Sequence, residues 1–324
     1  MRFISASEVR FGLSYQACIP VVRDAMIAFS AGRTRQLLRS VIPLGQGRMF
    51  GVMPGALGGQ DPFGAKLVSV VPDNAVRGGR SHQGLVVLFD AVTGLPEWLV
   101  DAGEITVIRT AAASAVATDA LARPDSSVLA ILGSGEQARS HAEALSLVRP
   151  FTEIRLWGRR REVAESLAQT LSETLDVRIS VAKSVEAAVA GADVVCTVSG
   201  AREPILMGRW LTPGAHVNLV GSSVAGPAEV DHDLVIRARF IADSRDGVLA
   251  QGAEFLHAKA ASLVDDDHVV GEIGQVLSGD LEGRQSRDQL TVYKSLGHVV
   301  QDLAAAKALC DSLSRRDAAL LEMA

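Results

Sequence analysis

Residues 128–138, VLAILGSGEQA, join an apolar run to two glycines and the start of a helical segment. The order of strand, glycine turn and helix is that of a dinucleotide-binding motif. Gly133 permits a tight turn, Gly135 lets the backbone approach a pyrophosphate, and Ala138 lets the helix pack on the strand. The helix N-terminus adds free N–H groups and a positive dipole end. The stretch therefore predicts a dinucleotide site, with an ordinary strand-to-helix turn as the alternative.

Outward from this motif the chain alternates between strands and helices. Further strands are predicted at 153–157, 177–181, 193–198, 216–220 and 239–242. This alternation indicates an α/β fold with a Rossmann-type, doubly wound parallel sheet. Residues 1–124 differ, because their strand-like runs lack helical crossovers and predict an antiparallel or mixed α+β domain. We expect this first domain to include the helical residues 294–324, and the cofactor domain to span 125–293.

The composition narrows the class of protein. The chain has 324 residues, of which 48% are hydrophobic and 21% charged, and its net charge is −5. This charge gives no reason to expect nucleic acid or an anionic membrane as a partner. No apolar run reaches membrane length, no secretion signal is evident, and the histidines lack metal-ligand spacing. The three scattered cysteines, Cys18, Cys196 and Cys310, favour a reducing cytoplasm without disulfides.

The end of the second predicted strand indicates the cofactor. Trp157 is followed by a glycine and three arginines, with no acidic residue to bind a ribose 2′-hydroxyl. Arginines suit a 2′-phosphate, so NADPH is the preferred cofactor and NADH is possible, unless these side chains are merely solvated. The predicted cofactor residues are Gly133, Ser134, Gly135, Glu136, Gln137, Arg159, Arg160, Thr110, Val198 and Asp243.

Three basic residues lie in apolar or small-residue surroundings of the first domain, namely Arg39, Lys66 and Arg109. Cations rarely enter such runs without a partner. A cluster of them can grip a carboxylate and orient it beside a nicotinamide. Each alone also fits a structural ion pair.

The sequence resembles the ornithine cyclodeaminase/μ-crystallin family over nearly its whole length. Besides the glycine loop, the matching stretches are 38–43 (LRSVIP), 51–54 (GVMP), 64–68 (GAKLV), 82–84 (HQG), 88–90 (LFD), 109–114 (RTAAAS) and 293–297 (YKSLG). The resemblance implies that Arg39, Lys66 and Arg109 hold the substrate carboxylate. It also implies a Rossmann cofactor domain and a homodimer joined through the first domain.

Two departures from the cyclodeaminase pattern affect the predicted reaction. Gly51 stands where the cyclodeaminase has an acid that binds the substrate amine, and Ser223 stands where it has an aspartate. Without that carboxylate, ornithine deamination loses its obvious general base. We therefore expect an NAD(P)H-dependent reductase of a cyclic ketimine carboxylate, with Lys66 as candidate proton donor and His82 and Ser223 as weaker ones.

Three other functions remain open from the sequence. An acyclic amino-acid dehydrogenase of the alanine dehydrogenase kind would use the same carboxylate grip with ammonia. An ornithine cyclodeaminase would release ammonia without net change of the cofactor. A non-catalytic protein would bind a small ligand in an NADP-dependent manner.

Overall fold

Two sheets organise the chain, one mixed and one entirely parallel. They are seen in a computed structural model that describes residues 1–76, 79 and 82–322. Residues 1–109 and 298–324 form one unit, and residues 110–297 form the other.

The first part of the chain builds the mixed sheet. Its elements are β1 (Arg2–Ile4), α1 (Ala6–Gly12), α2 (Tyr15–Ser30), β2 (Arg35–Gln36), β3 (Ser40–Gly45), β4 (Arg48–Ala56), β5 (Phe63–Val70), α3 (Asp73–Val76), β6 (His82–Phe89), β7 (Pro96–Asp101) and α4 (Ala102–Leu121). The strand order is β1-β7-β6-β5-β4-β2, with β3 paired to β4. Among the described strands of this sheet, only β1 and β7 form a parallel pair. Ser5 and Ser14 cap α1 and α2 by accepting backbone N–H bonds.

The parallel sheet belongs to the second unit. Its elements are β8 (Val128–Leu132), α5 (Glu136–Leu145), β9 (Glu153–Trp157), α6 (Arg161–Ser172), β10 (Arg178–Val181), α7 (Val185–Val189), β11 (Val194–Thr197), β12 (His216–Leu219), α8 (His232–Arg237), β13 (Arg239–Ala242), α9 (Arg245–Gln251), α10 (Ala253–Ala260), β14 (Val269–Glu272), α11 (Ile273–Ser278) and β15 (Thr291–Lys294). The strand order β10-β9-β8-β11-β12-β15-β13-β14 reverses direction between β8 and β11. This is the switch point at which doubly wound sheets bind nucleotides. The predicted fold class is confirmed.

The C-terminal helix α12 (Val299–Glu322) returns to the first unit and packs against α2, β4, β5 and β6. The helix expected from Lys294 onward therefore starts five residues late, because Thr291–Lys294 form β15 between β12 and β13. Lys294 is buried there and ion-paired with Glu254 at 2.7 Å.

The boundary between the units falls inside α4, before Thr110, rather than at the predicted Pro124. Small buried side chains allow the second half of α4 to pack closely in the second unit. The Oγ of Ser114 lies 2.9 Å from Nε2 of His141, and Asn218 donates to Thr118 at 2.9 Å. None of the described helices combines the length and apolarity needed to cross a membrane.

Candidate active site

Lys66 lies in the middle of β5, paired in register with Met53 of β4 and Val86 of β6. Its side chain is buried, with 4% exposure, and its ammonium reaches a carboxylate on α12. Nζ donates to Oδ1 and Oδ2 of Asp302 at 3.0 and 3.1 Å, and to Oγ1 of Thr106 at 3.1 Å. Both partners fix the ammonium within the first unit.

Arg109 meets the same carboxylate. Its Nε donates to Oδ1 of Asp302 at 2.8 Å, and its side chain is also buried. Arg39 precedes β3, is half-buried, and lies near enough for its charge to lower the pKa of Lys66. The structure thus brings Lys66 and Arg109 together on one carboxylate, and the charge of Arg39 also acts on Lys66.

Burial dominates the electrostatics of this cluster. It lowers the pKa of Lys66 to about 8, helped by the charges of Arg109 and Arg39 and opposed by Asp302. Burial also disfavours ionised Asp302, but Arg109 and Lys66 outweigh it and hold the pKa of that carboxyl below its ordinary value. Near neutral pH the cluster therefore contains an ionised carboxylate and a lysine close to its titration point.

Asp302 and its neighbours were missed from the sequence. Gln301 Oε1 accepts from Nη1 of Arg109 at 2.7 Å, and the ring of His298 stacks on Phe29 with centroids 4.6 Å apart. Burial, with the charge of Arg109, lowers the pKa of His298 to about 3, so this ring is neutral. A signal was present, since Asp302 stands in the apolar start of α12 much as Lys66 stands in its apolar strand.

The glycine loop of the second unit has two different glycines. Gly133 has a φ of 149°, and a Cβ there would lie 2.5 Å from the carbonyl oxygen of Val198. This close approach explains the predicted importance of Gly133 and Val198 without a ligand. A Cβ on Gly135 would meet no described atom within 4 Å, so packing does not explain that glycine. Open space before the N-terminus of α5 fits an approaching phosphate.

The end of β9 lies beside this loop. Gly133 N donates to Trp157 O at 2.8 Å, and a Cβ on Gly158 would lie 2.7 Å from Oγ of Ser134. Arg159 and Arg160 follow and are exposed, whereas Arg161 is ion-paired with Glu165. The two predicted phosphate-binding arginines thus follow directly on a residue that contacts the loop.

Three more predicted cofactor residues differ in how they are held. Thr110 is buried, and its Oγ1 finds no hydrogen-bond partner within the described part of the chain, which suits a ligand-facing hydroxyl. Glu136 and Gln137 form the first turn of α5, the former exposed and the latter half-buried.

Asp243 has a clear structural task. Its Oδ2 accepts from the backbone N–H groups of Leu296 and Gly297 at 2.8 and 2.7 Å, and its Oδ1 accepts from Ser244 N. These bonds support the interpretation of Asp243 as a residue that fixes the chain after β15.

The weaker proton-donor candidates are Ser223 and His82. Ser223 is half-buried in the loop after β12, beside Ser222, whose carbonyl accepts from Lys294 Nζ at 2.6 Å. The side chain of His82 lies outside the described residues. Among the described side chains, no three histidine, cysteine or acidic groups are gathered around a possible metal position.

Comparison with known proteins gives matches over nearly the full chain. The sequence pattern of the ornithine cyclodeaminase/mu-crystallin family matches residues 2–317. Ketimine reductase mu-crystallin of Mus musculus is 41% identical over 317 residues, which cover 96% of this chain and 97% of that protein.

Solved structures of other proteins are also similar to this chain over nearly its full length. Thermococcus litoralis Delta(1)-pyrroline-2-carboxylate reductase, in complex with NADH and L-proline, has a TM-score of 0.94 and 29% identity, covering 98% of both chains. An archaeal alanine dehydrogenase dimer with bound NAD has a TM-score of 0.91 and 26% identity, covering 97% of this chain and 96% of that one. These similarities extend through residues of both units.

Proposed function

The chain belongs to the ornithine cyclodeaminase/mu-crystallin family, and we propose that it is an NAD(P)H-dependent reductase of an imine adjacent to a carboxylate. Cyclic ketimines such as 1-pyrroline-2-carboxylate or 1-piperideine-2-carboxylate are the proposed substrates, and an L-amino or imino acid is the product. The names of the mouse relative and of the Thermococcus structure agree with this reaction. The family predicted from the sequence is confirmed.

The buried cation cluster carries the proposal. Lys66 and Arg109 bring two positive charges to the single negative charge of Asp302, and the charge of Arg39 also acts on Lys66. A buried excess of positive charge is costly without an anion. The carboxylate of a substrate would supply that anion, and the planar fork of an arginine suits bidentate recognition.

Lys66 has a second proposed task as proton donor. A protonated imine accepts a hydride far more readily than a neutral one, so the site must supply or retain a proton. A pKa of about 8 leaves most of Lys66 protonated at pH 7 while keeping its proton easy to release.

The second unit would hold the cofactor. Gly135, the N-terminus of α5 and the hydroxyl of Thr110 fit a pyrophosphate-containing ligand, as the open space and the buried hydroxyl indicate. When bound, the reduced nicotinamide supplies a hydride for the imine carbon. We propose NADPH as the preferred cofactor because exposed Arg159 and Arg160 suit a 2′-phosphate and no acidic residue follows β9 directly.

The geometry at Gly51 supports a reductase over a cyclodeaminase. Gly51 faces Val68 across β4 and β5, and a Cβ at this position would lie 3.1 Å from Cγ1 of Val68. An acidic side chain therefore does not fit at position 51 unless Val68 moves. Ser223 likewise offers no carboxylate for the general-base step of ornithine deamination.

The test is the loss of NADPH or NADH absorbance with a panel of cyclic ketimines, compared with pyruvate and other 2-oxo acids plus ammonia. Turnover of a cyclic imine without ammonia is the expected result. Turnover only with an oxo acid and ammonia would place the chain with the amino-acid dehydrogenases. Bound cofactor without any turnover would favour a ligand-binding protein.

We also propose a homodimer joined through the first unit. Val41, Ile42 and Leu44 of β3 are each more than 40% exposed, an unusual apolar surface for an isolated chain. The archaeal alanine dehydrogenase neighbour is itself a dimer. Light scattering should give twice the chain mass, and the variant I42D/L44D should give the monomer mass. A monomeric wild-type protein would contradict the proposal.

We propose a cytoplasmic location because of the state of the cysteines. Cys18, Cys196 and Cys310 are free thiols buried in the structure, which suits a reducing compartment.

A further inference from the structure

Asp302 is a buried charge to which the proposed reaction assigns no task. We propose that Asp302 is a positioning residue, the common counterion that aims Lys66 and Arg109 at the carboxylate of the substrate. The inference deepens the proposed function and rests on it, because it takes Lys66 and Arg109 as the carboxylate ligands.

The hydrogen bonds show how one carboxylate orients two donors. Both oxygens of Asp302 accept from Nζ of Lys66, and Oδ1 also accepts from Nε of Arg109. Thr106 accepts the third bond of the ammonium while its own hydroxyl donates to Ala102 O at 2.6 Å. The two oxygens of one carboxylate are close enough for a single N–H of the ammonium to serve both, and Thr106 takes a second N–H, so the third hydrogen is left for a ligand carboxylate.

The described bonds of Arg109 engage two of its three nitrogens. Nε is engaged by Asp302 and Nη1 by Gln301 at 2.7 Å. A guanidinium has five N–H donors in a rigid fork, so donors remain for a ligand carboxylate once these two bonds fix its plane. Asp302 and Gln301, adjacent on α12, therefore fix the plane in which the remaining donors of the guanidinium lie.

The same carboxylate keeps Lys66 charged. Burial, Arg109 and Arg39 all lower the pKa of Lys66, and Asp302 opposes them. His298 and Cys18 also interact with Arg109 and Asp302, but burial lowers the pKa of the first to about 3 and raises that of the second to about 12. Neither changes charge between pH 5 and pH 10, so Lys66 is the group expected to titrate near pH 8.

The experiment measures calorimetric binding of pyrrole-2-carboxylate, a planar ring carboxylate without a reducible imine, between pH 5.5 and 9.5. Three variants are compared with the wild-type chain. D302N removes the charge at constant size, D302E keeps the charge but displaces it, and T106V removes a neutral partner of the same ammonium. Thermal unfolding and circular dichroism check that each variant folds.

For wild type we expect affinity to fall as pH rises through about 8, because the lysine loses its charge. D302N should shift this midpoint to lower pH by about 1–3 units, the range for loss of an adjacent opposite charge. D302E should keep the midpoint and bind at least about fivefold more weakly. T106V should keep the midpoint.

Two outcomes would overturn the inference. A folded D302N with the wild-type midpoint would show that Asp302 does not maintain the charge of Lys66. If D302N does not fold, unchanged affinity in D302E would show that the position of this carboxylate does not orient Lys66 and Arg109. A wild-type chain that binds no ring carboxylate and reduces no imine would instead contradict the proposed function.

Discussion

At the scale of single residues, burial makes the ammonium of Lys66 suited to binding an anion and to releasing a proton. An exposed lysine is a weakly selective, strongly hydrated charge, whereas a buried one binds an anion strongly and releases its proton more easily. We predict that K66M lowers kcat/KM for a cyclic ketimine at least about thirtyfold, because removal of one member of a buried charge pair typically costs about 2–5 kcal/mol. NADPH affinity, measured by fluorescence, should change less than about twofold.

A matched control for that variant is K183M, which removes an exposed lysine from the second unit. It should leave both measurements unchanged. Near-normal turnover by K66M would rule out Lys66 as a carboxylate ligand and as a proton donor.

Arg159 and Arg160 decide the cofactor preference in our proposal. We predict that R159A/R160A raises the KM for NADPH at least about tenfold, because charge-assisted bonds to the 2′-phosphate are lost. The KM for NADH should change less than about twofold, since NADH lacks that phosphate. R161A is the control, because Arg161 is already paired with Glu165 at 2.8 Å. Equal effects of the double substitution on the two cofactors would exclude a phosphate role.

At the scale of elements, we predict that the turn between β8 and α5 contains one glycine needed for folding, Gly133, and one needed for cofactor binding, Gly135. G133A should lower the melting temperature markedly, because its Cβ would lie 2.5 Å from Val198 O and its φ of 149° is strained for alanine. G135A should melt like wild type, since its Cβ enters open space at a φ of −97°. It should nevertheless bind NADPH at least about tenfold more weakly.

Thermal unfolding and NADPH titration of the two variants test this distinction. An equal loss of melting temperature in both would mean that Gly135 is also a packing glycine. Unchanged NADPH affinity in G135A would remove the loop from the cofactor site.

Local pattern was enough to predict some elements and insufficient for others. The six predicted strands of the parallel sheet correspond to β8 through β13, because each is an apolar run next to a turn or helix. β14 and β15 were missed, and their place in the sheet depends on pairing with strands distant in sequence. Lys66 was found because it interrupts an apolar strand, whereas its partner Asp302 is 236 residues away in sequence and only the fold brings it near.

At the scale of the whole molecule, three buried histidines make the free energy of unfolding depend on pH in the acid range, and they lie in both units. His141 and His216 lie in the parallel-sheet unit and His298 in the other. Burial lowers their pKa values to about 4, 3 and 3. An unfolded chain therefore binds more protons than the folded chain as pH falls below about 6.5, the ordinary value for histidine.

The free energy of unfolding increases with pH wherever the unfolded state binds more protons than the folded state. We predict that the unfolding free energy falls between pH 6.5 and pH 4, by up to about 1.4 kcal/mol per pH unit for each of the three histidines. Urea unfolding across this range, followed by tryptophan fluorescence, measures the slope.

H298Q should reduce the slope of unfolding free energy against pH, since one titrating group is gone. H257Q removes an exposed histidine and should leave the slope unchanged. A stability independent of pH across this window would mean that the folded and unfolded chains take up equal numbers of protons, so that burial does not lower the pKa values of these rings.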